Sequence, residues 1–328
     1  MIGMLYTNLG KTSEKVSKIG IGTWQIGSRE WGWGKGYGEE QVVTAIRRSL
    51  ELGVNLIDTA EIYGGGLSET VVGKAIRGMR ERVLIATKVW PTHATYQGTI
   101  KACERSLRRL GVDVIDLYQV HWPNPLIPVS STMRAMEELV RRGMIRYIGV
   151  SNFSPSQLER AQQALKREEI VSNQIEYSLL KMRSAERLFE RFGDSITVIA
   201  YSPLAQGLLT GKYDPKNLPK DVVRAINPLF DPHNVRKVGP LLEKLREVAS
   251  RHGATPDQIA LRVLIHRQNV VAIPGAKDAK QAEKNATAAD IPLTDQEVEE
   301  VISVARSIRV SRLRGHLTTP IRVLRALL

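Results

Sequence analysis

Cysteine is almost missing: Cys103 is the only one in 328 residues, so no disulfide can form within the chain. It stands in KACERSLRRL, a helical pattern, where it is expected as a small packed hydrophobe and not as a nucleophile. Long apolar runs are missing too. None approaches the roughly 18 residues of a membrane span. The opening MIGMLYTNLGKTSEK has neither the apolar core nor the small-residue cleavage site of a secretory signal. A cytoplasmic protein without membrane contact is expected. The histidines, at 93, 121, 233, 252, 266 and 316, form no HExxH or other close pair with metal-ligand spacing, so no metal site is expected.

Phosphate-loop signatures are also lacking. The glycine-rich GWGKGYG at 32–38 does not match GxGxxG, nor does IGIGTW, and there is no GxxxxGK[ST]. A Rossmann domain and a P-loop are therefore both poorly supported. What is in excess is positive charge: 47 basic against 34 acidic residues, a formal net charge of +13. The basic residues are spread over many amphipathic segments such as RRSLELG and ERSLRRLG, with no zinc-finger or RNP-type motif beside them. Nucleic acid is not the expected partner.

Short apolar strand candidates recur, each followed by a helical pattern. They are 19–24, 55–60, 83–90, 114–122, 145–153, 171–178, 197–204 and 270–276, eight in all. Apolar strands alternating with amphipathic helices imply a parallel sheet covered by helices. Eight such units in a chain of this length favour a single α/β domain, a (β/α)8 barrel of the TIM type, spanning residues 1–328. Residues 1–18 read as a small hairpin that caps the bottom of the barrel. Residues 213–239, with Pro215, Pro219, Pro228 and Pro232, read as a long connection after strand seven, of the kind that serves as a lid or binding loop. Thr294 with Glu297 forms a capping box for a last helix, and 310–328 is a basic, apolar tail whose role stays open.

A barrel places its chemistry at the C-terminal ends of the strands. There stand Trp24, Asp58, Tyr63, Lys88, His121, Ser151, Asn152, Gln174, Tyr201 and Ser202, nearly all polar or aromatic. Asp58, Tyr63, Lys88 and His121 follow three neighbouring strands and suit one another chemically. A tyrosine is a weak acid, with a pKa near 10. A nearby ammonium is expected to lower it into the range of general-acid work. Asp58 would hold and neutralise Lys88, and His121 would donate a hydrogen bond to a carbonyl oxygen. Singly, each has a plain structural reading: a strand-end salt bridge, a helix cap, a packed ring. The stretch NLIDTAEIYGGGLSE adds Gly64-Gly65-Gly66 directly after the tyrosine, which fits a turn needing positive φ or close backbone approach.

The segments GIGTWQIG, NLIDTAEIYGGGLSE, IATKVW, IDLYQVHWP, IGVSNF, NQIEYS, AYSPLAQGLLTGKY and AIPGAKDAKQAEKN, taken in order, resemble the aldo-keto reductases over roughly residues 3–305. The likeness is to the bacterial and archaeal branch, related to the potassium-channel beta subunits. The resemblance implies that Asp58, Tyr63, Lys88 and His121 are the catalytic four. It implies NADPH as coenzyme, with NADH possible, lying across the barrel mouth. Its contacts would be Gly22, Thr23, Trp24 and Asp58, with Ser151, Asn152 and Gln174 at the carboxamide and Tyr201 stacked on the nicotinamide. Ser202, Pro203, Leu204, Gln206, Gly207, Leu208 and Lys212 would wrap the pyrophosphate, and Ile273, Gly275, Ala276, Lys277, Gln281, Lys284 and Asn285 would complete the adenosine end. The chain departs from many members at Gly275, Ala276 and Gln281, where they carry Lys, Ser and an arginine that grips the 2′-phosphate. Lys277, alone or with Lys280, would supply that charge here. Trp24, Tyr63, His121 and Trp122 would line a pocket for a small aldehyde or ketone. The alternative implied is a redox-sensing regulatory subunit that binds the same coenzyme with little turnover. A monomer and a homo-oligomer are equally compatible.

Overall fold

The structure is a computed structural model that describes residues 3–319, 322 and 323. Of the tail at 310–328, residues 320, 321 and 324–328 therefore lie outside the described residues. A short antiparallel hairpin, β1 (Tyr6–Asn8) and β2 (Lys15–Ser17), comes first. Eight parallel strands follow: β3 (Ile21–Gly22), β4 (Leu56–Asp58), β5 (Leu84–Val89), β6 (Ile115–Val120), β7 (Ile145–Ser151), β8 (Ile170–Glu176), β9 (Thr197–Tyr201) and β10 (Val270–Ala272). They pair in sequence order. The sheet closes on itself where Gly20 and Gly22 donate to Ala272 and Pro274. The result is the expected (β/α)8 barrel.

Helices cover it: α1 (Glu39–Glu51), α2 (Leu67–Ala75), α3 (Tyr96–Leu110), α4 (Val129–Arg141), α5 (Pro155–Ala164), α6 (Arg183–Phe192), a short α7 (Val222–Ala225), α8 (Pro232–Arg251), α9 (Pro256–Leu264), α10 (Ala279–Ala286), α11 (Asp295–Ser307) and α12 (Arg312–Leu317). Their ends follow side-chain chemistry. Ser154 and Gln157 form a capping box at α5, and Thr294 and Glu297 the expected one at α11. Gly111 closes α3 in the left-handed conformation.

The inner strand faces alternate with the outer ones. Leu56, Leu84, Ala86, Leu117, Val171, Ile199, Val271 and Ile273 fill the barrel, and Leu9 and Val16 of the hairpin join the same cluster from below. Gly10 donates to the Thr197 hydroxyl at 2.7 Å. The hairpin thus plugs the bottom, as expected. Continuing the inward phase upward gives Asp58, Lys88 and Gln119, so the interior changes from apolar to ionic within one layer.

The connection after β9 is shorter than its prolines suggest. Pro232 does not prolong it: it sits in the first turn of α8, where a missing N–H costs nothing, and Asp231 caps that helix by accepting from the His233 amide. Only residues up to 231 belong to the connection, and α7 lies within it.

Candidate functional site

Three neighbouring strand ends meet at one point. Lys88, 0 % exposed, donates from Nζ to Asp58 Oδ2 at 2.7 Å and to the Thr59 carbonyl at 2.8 Å. The same nitrogen reaches the Tyr63 hydroxyl at 3.3 Å. His121 lies edge-on to the Tyr63 ring, with centroids 5.7 Å apart. The four residues singled out by spacing are therefore one cluster.

Its electrostatics differ from the sequence expectation at one point. Lys88 does not bring the Tyr63 phenol down. Burial pushes Tyr63 well above its ordinary value, and the Asp58 carboxylate pushes the same way. The reason is geometric: the ammonium lies nearer Asp58, and that pairing leaves little field for the phenol. Burial lowers Lys88 itself, against the pull of Asp58. His121 is driven down to about 2 by burial and by Lys88, so its imidazole is neutral at physiological pH. Its Nδ1 is buried and finds no hydrogen-bond partner among the described residues.

The turn carrying Tyr63 needs its glycines. Gly64, Gly65 and Gly66 all have positive φ. A Cβ on Gly64 would lie 2.8 Å from the Ile26 carbonyl, and one on Gly27 would lie 2.7 Å from the Gly64 Cα. The loops after β3 and β4 approach at a distance that only glycine permits.

The residues expected around the coenzyme are also brought together, with some reassigned. Ser151 donates to the Gln174 carbonyl at 2.9 Å, and Asn152 donates to the His121 carbonyl at 3.1 Å. Tyr201 donates to Asn152 Oδ1 at 3.0 Å. Asn152, Ser202, Ala205 and Gln206 are the non-glycine residues with positive φ among those described, and all stand at this rim. Such backbone costs about 1–3 kcal/mol each and tends to persist where function needs it. Gly22 faces the Ile273 carbonyl, where a Cβ would lie 2.8 Å away.

Lys277 is half-buried, donates to the Trp31 carbonyl at 2.6 Å and lies 4.6 Å from the Tyr37 ring centroid. Burial, then Arg224, then Lys212 depress its pKa. Lys277 and Arg224 are partly buried and Lys212 is exposed, so three cations stand together at this rim. Lys280, by contrast, is exposed on α10. Gln281 spends its side chain on the Lys277 amide and on Asp278, and Lys284 pairs with Asp257 at 2.8 Å. Asn285 donates to the Gly275 carbonyl at 3.2 Å.

Trp24 and Trp122 are 46 % and 43 % exposed, at the ends of β3 and β6. Trp31 packs edge-on against Trp24. Trp33 instead packs on Tyr37, at the edge of the helix–sheet core.

Four residues escaped the sequence reading. Trp90 packs edge-on against His121, centroids 5.1 Å apart. Glu61, buried, accepts from the Trp90 amide at 2.7 Å and from Arg105 at 3.2 Å. Gln119 donates to Asp58 Oδ1 at 3.3 Å. Arg224 lies 4.4 Å from the Trp31 ring centroid and pairs with Asp221 at 2.7 Å. Gln119 was detectable, since it shares the inward phase of β6 with Leu117. Arg224 was not, because nothing in its sequence neighbours marks it.

A groove of about 1130 Å³ opens at the opposite end of the barrel and holds none of these residues. There Arg77, Arg80, Arg82 and Arg146 face Glu14, Glu81, Asp113 and Asp116. Arg80 and Arg146 both pair there with Asp116, and Arg146 also with Glu14.

Fold and cluster together define a (β/α)8-barrel protein with a buried lysine–carboxylate–tyrosine site at its C-terminal rim. The Aldo/keto reductase family profile matches residues 18–306, and the chain belongs to that family of oxidoreductases. An uncharacterised oxidoreductase of Mycobacterium tuberculosis is 46% identical over 311 residues, 94% of this chain and 95% of its own. An aldo/keto reductase of Klebsiella pneumoniae, solved with NADP and acetate, is 32% identical, with a TM-score of 0.71 over 91% of this chain and 95% of its own. A glycerol dehydrogenase of Gluconobacter oxydans superposes with a TM-score of 0.82 at 29% identity, over 93% of this chain and 96% of its own.

Proposed function

We propose that the protein is an NADPH-dependent reductase of small aldehydes and ketones, a single barrel domain in which Tyr63 delivers the proton. The observation that carries this reading is the position of Lys88, between Asp58 at 2.7 Å and the Tyr63 hydroxyl at 3.3 Å. Nicotinamide, when bound, supplies the hydride that adds to the carbonyl carbon. Everything else falls to the chain. The neutral His121 orients the carbonyl oxygen toward the Tyr63 hydroxyl. As negative charge develops on that oxygen, Tyr63 transfers its proton to it. The resulting phenolate is stabilised by the Lys88 ammonium, whose charge matters most at that moment. The high pKa of Tyr63 keeps the proton in place until then.

The coenzyme fits the rim chemically. Asn152 and Gln174 offer amides for a carboxamide, Tyr201 a flat ring, and Lys212, Arg224 and Lys277 three cations for phosphates. Lys277 stands in for the family's missing arginine, which favours NADPH over NADH. The exposed faces of Trp24 and Trp122 suit substrates with apolar or aromatic bodies.

The deciding experiment is oxidation of NADPH and of NADH with a panel of small aldehydes and ketones, on wild type and Tyr63→Phe. Wild type should turn over, and Tyr63→Phe should lose about 100- to 10,000-fold in kcat while still binding NADPH. Tight NADPH binding with no turnover of any carbonyl would overturn the reductase reading in favour of a redox-sensing subunit.

A further inference from the structure

After α11 the chain lands on the first turn of α8 and on the connection that follows β9. Asn234, fully buried, ties the two together: it donates to the Pro228 carbonyl at 2.8 Å and to the Ser311 carbonyl at 3.0 Å, and it accepts from the Ser311 amide at 2.8 Å. Gly315 of α12 lies directly on Pro228, where a Cβ would fall 2.5 Å from the proline Cβ. Arg322 then reaches under the turn. It is 6 % exposed, donates from Nε to the Ala225 carbonyl at 3.0 Å and from Nη2 to the Asn227 carbonyl at 3.3 Å, and lies 3.7 Å from the Asp231 carboxylate.

The gripped turn carries rim residues on its other side. Arg224 donates to the Gln206 carbonyl at 2.7 Å, and Asn227 donates to Gln206 Oε1 at 3.0 Å. Gln206 holds the strained φ of 55° in the loop that the functional reading assigns to the pyrophosphate. A strained backbone persists only while its surroundings over-determine it. Here those surroundings include the 225–227 turn, and the buried Arg322 guanidinium is one of its anchors.

We propose that Arg322 is a positioning residue for the coenzyme. By holding the 225–227 turn, it fixes Arg224 and Gln206 in the arrangement that grips the diphosphate, and it slows coenzyme release. This rests on the NADPH reading given above. A loop only fractionally in its competent arrangement weakens apparent affinity by that fraction, so loosening the turn appears in coenzyme release and not in the carbonyl KM.

The test is stopped-flow release of NADPH from the full chain, followed by protein fluorescence, in wild type, Arg322→Ala and Gly315→Ala. The two variants attack the same contact by different means, one by deleting its charge and one by wedging α12 off Pro228. Both should release NADPH about tenfold faster, the effect of losing a hydrogen-bonded charged group worth about 1.5 kcal/mol. The KM for a carbonyl substrate should not move, and Arg322→Lys should recover part of the loss. Unchanged release in a folded Gly315→Ala or Arg322→Ala protein would overturn the proposal, even if its melting temperature falls. Failure of wild type to bind NADPH would instead sink the coenzyme reading and this inference with it.

Discussion

Gln174 donates from Nε2 to Asp58 Oδ1 at 2.7 Å, and so couples the group expected at the nicotinamide carboxamide to the carboxylate that holds Lys88. Gln119 adds a longer bond to the same oxygen, 3.3 Å, while Lys88 occupies Oδ2. Both Asp58 oxygens are therefore committed, and the carboxylate is held against the lysine by amides that cannot titrate. Gln119→Leu keeps the volume roughly and removes one of these amides. It should lower kcat by about tenfold, the low end for a single bond to a charged acceptor, as suits a contact of 3.3 Å. The dissociation constant for NADPH should change little, because Gln119 meets the coenzyme site only through a long 3.4 Å contact from Gln174 Nε2 to its Oε1. Parallel kinetics and coenzyme titration check this.

The neutral imidazole of His121 makes a prediction about pH. Its folded pKa, about 2, lies far below the ordinary 6.5. Between those values the unfolded chain binds a proton that the folded chain does not, so folding stability rises with pH there. His121 therefore contributes stability that is present above pH 6.5 and lost as pH falls toward the folded value. Comparing chemical denaturation of wild type and His121→Gln from pH 7 down to pH 4.5 should show wild type losing up to about 1.4 kcal/mol more per pH unit. The pH profile of kcat should also show no limb near 6.5 that disappears in His121→Gln. Parallel stability curves for the two proteins would mean that the imidazole is protonated in place.

Much of this was legible because period and position agree. Eight apolar strands with helices between them allowed few folds, and a barrel dictates where its polar strand ends meet. Asp58, Lys88 and His121 could be placed from strand phase alone. What escaped depends on contacts across long separations. Arg224 comes from a short helix inside a proline-rich connection, and only the folded chain sets it on Trp31. Pro232 read as more loop, although a proline in the first turn of a helix is equally at home there. The fall in Tyr63 acidity was misjudged for a physical reason. Sequence placed an ammonium beside a phenol but could not show that Asp58 sits nearer and that the ring is partly withdrawn from water.

The glycines after Tyr63 give a steric prediction. Gly64 combines a φ of 57° with a Cβ position 2.8 Å from the Ile26 carbonyl. Gly64→Ala must both pay for the left-handed backbone and push the loop after β3 away. A cost of about 2–3 kcal/mol is expected, read as a loss in the midpoint of chemical denaturation. Tyr63 moves with that turn, so kcat should fall more than the carbonyl KM rises. Gly65→Ala is the control: it shares the positive φ, but its Cβ would meet nothing within 4 Å. It should show the smaller, purely conformational cost.

On the proposed coenzyme reading, preference for NADPH over NADH depends on Lys277. The position six residues beyond Gly275, where the resemblance would place an arginine, is Gln281, whose side chain is bound to Asp278 and to the Lys277 amide. Lys284 is held by Asp257. Lys277 alone, of the basic residues at 277, 280 and 284, is both half-buried and crowded by Arg224 and Lys212. Placing a dianionic phosphate there relieves that crowding and gains a charge-assisted bond. Lys277→Ala should weaken NADPH binding by about 10- to 100-fold, the value of one such bond to a charged group. NADH, which lacks the phosphate, should bind within about twofold of wild type, because no other assigned coenzyme contact is removed. The salt dependence of NADPH binding should also become shallower, since one screened ion pair is gone. Titrating both coenzymes at two ionic strengths separates the outcomes. Equal losses for NADPH and NADH would mean that Lys277 serves the loop, through the Trp31 carbonyl, and not the phosphate. Lys280→Ala, on the exposed face of α10, should change neither.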